Sequence, residues 1–123
     1  MDDGLKDIME QATRLGEAIR RHPRYAKLRE ADERVREDKA ATEALEAYNK
    51  AVAAIQKKGQ GGQPIEVEDK RMLERLRQVV AGNAAIKAFL QTQADYAELM
   101  HRMNDTIFRT IAGPASEPAA PQK

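Results

Sequence analysis

The sequence predicts an all-α protein, an antiparallel hairpin of long bent helices that packs as a helical bundle in a dimer. Three observations carry that expectation. Apolar residues recur at helical spacing along most of the chain, turn signals fall at a few well-separated places, and the apolar stripes are wider than two helices lying together can cover. With 33% charged and 41% hydrophobic residues, the 123-residue chain has the composition of one soluble folded domain. Aromatic residues make up only 4% and Trp is absent, so the core must come from Leu, Ile, Val, Met and Ala.

From Asp3 to about Arg21 the stripe Leu5, Ile8, Ala12, Leu15, Ala18, Ile19 predicts a first helix. Pro23 restricts His22 and favours a first helical turn, so the chain bends at His22 and restarts at Pro23. The stripe resumes as Tyr25, Leu28, Ala31, Val35, then Ala41, Leu45, Tyr48, Val52, Ile55. Asp38 falls between these runs on the same face. An acidic residue there either interrupts one seam or caps a new helix starting near Lys39, and both remain open. Lys57 and Lys58 suit a last helical turn, and the glycines that follow predict a flexible loop over 58–66. Gly59-x-Gly61-Gly62 is not a phosphate cradle, because no strand precedes it and no Lys-Ser/Thr pair follows.

A shorter helix is expected from about Val67 to Ala81, with Leu73, Leu76, Val79 and Val80 on its face. Gly82-Asn83 breaks it, and Asn83 is placed to cap the longest stretch, Ala84 to Ala112. That stretch carries Ile86, Phe89, Leu90, Tyr96, Leu99, Met100, Met103, Ile107 and Ile111 without a Pro or Gly. A helix over it would be roughly 40 Å long and needs an equally long cover. Gly113 and Pro114 stop it. One helical domain is therefore expected over residues 1–112. Residues 113–123, with three prolines and no large apolar side chain, read as a disordered tail.

The two halves echo one another at an offset of 61. Ala12, Leu15, Ala18, Ile19, Tyr25, Leu28 and Val35 match Leu73, Leu76, Val79, Val80, Ile86, Phe89 and Tyr96, and the break residues His22 and Asn83 correspond. Either a true two-fold repeat or short-period heptad spacing produces such an echo, and in both cases each half is a short helix, a bend and a long helix. The surplus apolar surface predicts a two-fold dimer completing a four-helix core, with Phe89, Tyr96 and Met103 and their counterparts Leu45, Tyr48 and Val52 as the dimer and core residues.

The charge balance, 21 basic against 20 acidic side chains for a net +1, gives no global field toward nucleic acid or membrane. Cys is absent, which removes disulfides and thiolate chemistry. Glu98-Leu-Met-His101 has the bare spacing of one half of a helical di-metal site, but no second Glu-x-x-His exists, so neither metal nor cofactor is expected. The carboxylate pairs Glu30/Glu33 and Glu43/Glu46 do not indicate an enzyme, since slim helical arms rarely enclose a pocket that shifts a pKa. No apolar run is long enough to span a membrane and the acidic start is unlike a signal peptide, so a cytoplasmic protein is expected. The densest charge is Arg20, Arg21, Arg24, Lys27 and Arg29 around His22. It suits an acidic protein partner, RNA phosphates, or plain solvation beside Glu30, Asp32, Glu33, Glu37 and Asp38. A partner surface there is the working expectation, with direct RNA binding the alternative.

Taken together, His22-Pro-Arg-Tyr25, Ala31, Val35 and Asp38, followed by Asn83-Ala-Ala-Ile86-Lys-Ala-Phe89-Leu90, resemble the YlbF/YmcA family of small bacterial helical regulators. The resemblance runs from Leu5 to Ile111. It implies an all-helical, dimeric, non-enzymatic adaptor acting through protein partners. The better-known members are accessory subunits of a complex that modulates an RNA-degrading endonuclease, with effects on competence, sporulation and biofilm formation. Members with an iron–sulfur cluster hold it through cysteines. This chain has none and is similar to the cysteine-free, YheA-like branch.

Overall fold

A computed structural model describes residues 3–113 as an all-α protein. Five helices pack into a bent bundle: α1 (Leu5–Arg20), α2 (Pro23–Glu37), α3 (Lys39–Gln60), α4 (Val67–Gly82) and α5 (Ala84–Ala112). From Pro114 on, the expected tail lies outside the described residues.

Three bends shape the bundle, and each is made by one polar side chain. At His22 the backbone turns extended (φ −75, ψ 141) and the imidazole Nδ1 accepts the amide of Arg24 at 3.0 Å, while Pro23 occupies the first helical position, where its missing N–H costs nothing. Asn83 has nearly the same backbone (φ −77, ψ 126), and its Oδ1 accepts the amide of Ile86 at 3.0 Å. Asp38 (φ −94, ψ 108) ends α2 and begins α3, its Oδ1 accepting the Ala41 amide at 2.9 Å. Asp38 is therefore a cap and not a polar residue inside a continuous seam. Asp38→Ala should lower the unfolding free energy by about 1 kcal/mol, read as an earlier urea midpoint at unchanged slope.

The glycine turn is shorter than expected. α3 continues through Lys58 and Gly59 to Gln60, leaving only residues 61–66 between α3 and α4. The helix end is tied off by Gly61 N–H donating to the Lys57 carbonyl (3.0 Å) and Gln63 N–H to that of Lys58 (2.8 Å). Gly62 takes the left-handed conformation (φ 77) that this closure needs.

α2 packs along α5 and α3 along α4, while the consecutive helices of each arm touch across their bends. The buried cluster sits where the bend at Asp38 faces the bend at Asn83. Val35 and Ala41 from one side meet Ala85 and Ile86 from the other, with Leu45, Val80 and Phe89 packed against them. Ala31 and Ala44 complete the buried set. Four of these six buried residues are alanines, which lets the helix axes approach closely but fills little volume. α1 is set apart. Its substantial packing is with α2 alone, and none of its residues is buried. Among the described residues no helix is long and apolar enough to cross a membrane.

Candidate partner surface

The basic residues expected to act together are divided by the fold. Because Pro23 starts a new helix, Arg24 lies in the first turn of α2 and reaches across to α5. There its Nη1 donates to the Glu98 carboxylate at 2.7 Å and to the Asp95 carbonyl at 3.1 Å. Arg102 stands on the far side of Glu98, 3.9 Å away. Arg24 is thus a tie between two helices, half-buried, beside a shallow hollow of ≈ 220 Å³ that it lines with Pro23, Lys27, Thr92 and Asp95. Arg20, Arg21, Lys27 and Arg29 remain exposed. Arg29 borders a larger open groove of ≈ 490 Å³ between α2 and α5, where the acidic pair Asp32 and Glu33 lies between Arg29 and Arg36 over a floor that includes Tyr25, Leu28 and Phe89. The surface is a mixed-charge face with an apolar floor.

The six stripe residues also fall in separate places. Leu45 and Phe89 pack against the buried cluster. Tyr96 packs on Tyr25 with ring centroids 5.9 Å apart and planes tilted by 49°. Tyr48 and Val52 are half-buried along α3, and Met103 is half-buried by His22, Arg24, Leu99, Arg102 and Thr106, around a hollow of ≈ 270 Å³. They mark the line along which the arms pack and do not form one patch.

Sequence reasoning missed two pairings. Glu98 of the Glu98-Leu-Met-His101 run holds Arg24 from 74 positions away. No local pattern encodes that distance. At the other end of the molecule Lys58 Nζ donates to Asp69 at 2.6 Å, closing the turn between α3 and α4. Asp69 also accepts the Glu66 amide at 3.0 Å, as half of a reciprocal capping box with Glu66. That box was legible as an acidic pair three residues apart ahead of an apolar run.

Electrostatics at this turn follow from the pairing. The Lys58 hydrogen bond, aided by the Glu66 amide, holds the Asp69 carboxyl below its ordinary 3.8, and the Asp69 hydrogen bond raises Lys58 above 10.5. The closure is therefore complete between the two ordinary values. It weakens as pH falls through the lowered Asp69 value, and again as pH rises through the raised Lys58 value. Carboxyl-carbon NMR should show Asp69 titrating below 3.8, and the shift should shrink markedly in Lys58→Met. An unchanged titration in that variant would show that the lysine does not set it. Among the described residues no group of three or more His, Asp or Glu side chains could hold a metal ion.

A family profile described as control of competence regulator ComK, YlbF/YmcA, matches residues 8–112. Similar proteins include a UPF0342 protein of Streptococcus pyogenes serotype M4, 26% identical over 106 residues that make up 86% of this chain and 94% of the relative. A UPF0342 protein of Streptococcus uberis is 24% identical over 106 residues, again 86% of this chain and 95% of its own.

Proposed function

We propose, starting from the fact that this chain belongs to the YlbF/YmcA family of regulatory proteins, that it is a cytoplasmic adaptor in the control of RNA turnover or development. The family is one of non-catalytic helical regulators that act through protein contacts. The profile match over residues 8–112 carries the reading, because it spans all but the first few residues of the five helices. In this reading the chain is a single domain over residues 1–112 whose two arms, α1–α2–α3 and α4–α5, lie antiparallel as a hairpin. Pairing of Arg24 with Glu98, of Val35 with Ile86 and of Lys58 with Asp69 supports that course. The protein self-associates, and its partner surface is the bend bearing Arg20, Arg21, Lys27 and Arg29, with Arg24 holding α2 to α5 beneath them.

A protein partner fits this surface better than RNA does. Asp32 and Glu33 adjoin Arg29, Glu98 occupies Arg24, and a face of mixed sign disfavours a continuous run of phosphates while matching a protein face of complementary pattern. The test is affinity capture from the native cell with wild type and with Arg20→Glu/Arg21→Glu/Lys27→Glu, which leaves Arg24 in place. Proteins held by the wild type should be lost from the variant while its helical circular dichroism is unchanged. An identical captured set would remove the bend as the partner surface. RNA retained by the wild type, with affinity falling steeply as salt rises, would replace the protein reading with the nucleic-acid one.

A further inference from the structure

The fork formed by α1 and the last half of α5 is the part of the molecule whose apolar face lacks the cover its counterpart has. Leu5, Ile8, Ala12, Leu15 and Ile19 follow one another at steps of three and four, the pattern of a helix seam, yet Leu5 and Ile8 are 59% and 61% exposed. On α5 the row Tyr96, Met100, Met103, Ile107, Ile111 continues past the start of α2, with Phe108 beside it. Phe108 and Ile111 are 66% and 75% exposed.

The internal echo explains the gap. Under the offset of 61, the Tyr25–Tyr96 contact becomes the meeting of Ile86 with Val35, and both occur. The bends at His22 and Asn83 share their backbone angles and their capping chemistry. The packing of α3 on α4 should then have as its counterpart the packing of α5 beyond residue 99 on α1. Among the described residues α1 has substantial packing on α2 alone. The cause lies at one position: Asp38 breaks its arm and swings α3 onto α4, whereas its counterpart Leu99 sits inside an unbroken α5. At the root of the fork Glu98 is paired with Arg24 at 2.7 Å and lies 3.9 Å from Arg102.

We infer that this fork is the docking surface for the same fork of a second copy, giving a two-fold four-helix end from α1 and the last half of α5 of each chain. This rests on the self-association proposed above and adds where it occurs. On α4 the exposed Met72 and Val79 adjoin Leu73 and Val80, which are half-buried. At the fork the seam itself is uncovered. Leu5, Ile8, Met9, Leu15, Ile107, Phe108 and Ile111 each offer on the order of 100 Å². The several hundred square ångströms per copy approach the roughly 800 Å² per partner of a standard interface. Charge does not oppose the pairing, because Lys6, Arg14 and Arg20 on α1 are balanced by Asp7, Glu10 and Glu17.

Sedimentation equilibrium of the full chain over a concentration series tests both statements. Wild type should dimerise, and Ile8→Glu and Ile107→Glu should each raise the dissociation constant by roughly tenfold or more. Val79→Glu, with comparable exposure on α4, should leave it unchanged, and circular dichroism should show all three variants equally helical. In the otherwise cysteine-free chain, the double variant Ile8→Cys/Ile107→Cys should oxidise to a cross-linked pair of chains. A wild type that stays monomeric overturns self-association together with the fork. A dimer unaffected by the Ile8 and Ile107 variants overturns the fork alone, and a cross-link formed within one chain overturns it in favour of α1 closing on its own α5.

Discussion

Replacing Ile86 by Ala should remove about 3 kcal/mol from the free energy of unfolding, the largest effect of any single truncation in this chain. Ile86 is 3% exposed and is the bulkiest member of the buried cluster, where it meets Val35, Ala41 and Ala85. The buried residues it meets, Val35, Ala41 and Ala85, are short and sit on helices tied by caps, so Leu45, Val80 and Phe89 around them refill only part of the space left behind. The loss therefore contains both the transfer of the missing methyl and methylene groups and an unfilled cavity. Leu90→Ala, on the same helix but half exposed, should cost well under about 1 kcal/mol. Urea denaturation of the two variants side by side checks this, and near-equal midpoints would mean that the cluster around Ile86 does not hold the arms together.

Ala41→Leu should destabilise by about 2 kcal/mol through the opposite fault. Ala41 is 0% exposed, sits in the first turn of α3, and donates its amide to Asp38. A leucine there has to push α3 away from Ala85 and Ile86 or pull its own backbone off the cap. The preceding residue, Ala40, is exposed, so Ala40→Leu should leave the thermal midpoint within a degree or two. If Ala41→Leu melts at the wild-type temperature, the contact between the two bends is looser than the burial of Ala41 implies.

Helix existence and most helix ends could be read from local chemistry. Pro23 behind His22, Asn83 ahead of Ile86, and Gly113 after Ala112 each satisfy or relieve backbone groups within a few residues, so their effect is fixed by sequence neighbours. Asp38 had two local readings, and only the extended backbone with its Ala41 hydrogen bond separates them. α3 outruns the expected loop boundary because glycines weaken a helix without ending it while the carbonyls of Lys57 and Lys58 still find donors. Relations between arms were beyond reach. Arg24 looked like one cation of a surface patch, since nothing near it in the chain announces Glu98 or the Asp95 carbonyl. Periodicity likewise marks Phe89, Tyr96 and Met103 as apolar on one face, but cannot say that they meet different neighbours along the rod.

The unbroken course of α5 through Leu99 leaves the two ends of the bundle unequal. At one end the turn at Asp38 lays α3 along α4. The half that runs straight on ends as a prong beside an unmated helix. A chain that had repeated its first half faithfully, turn included, would have laid the end of its last helix along its first.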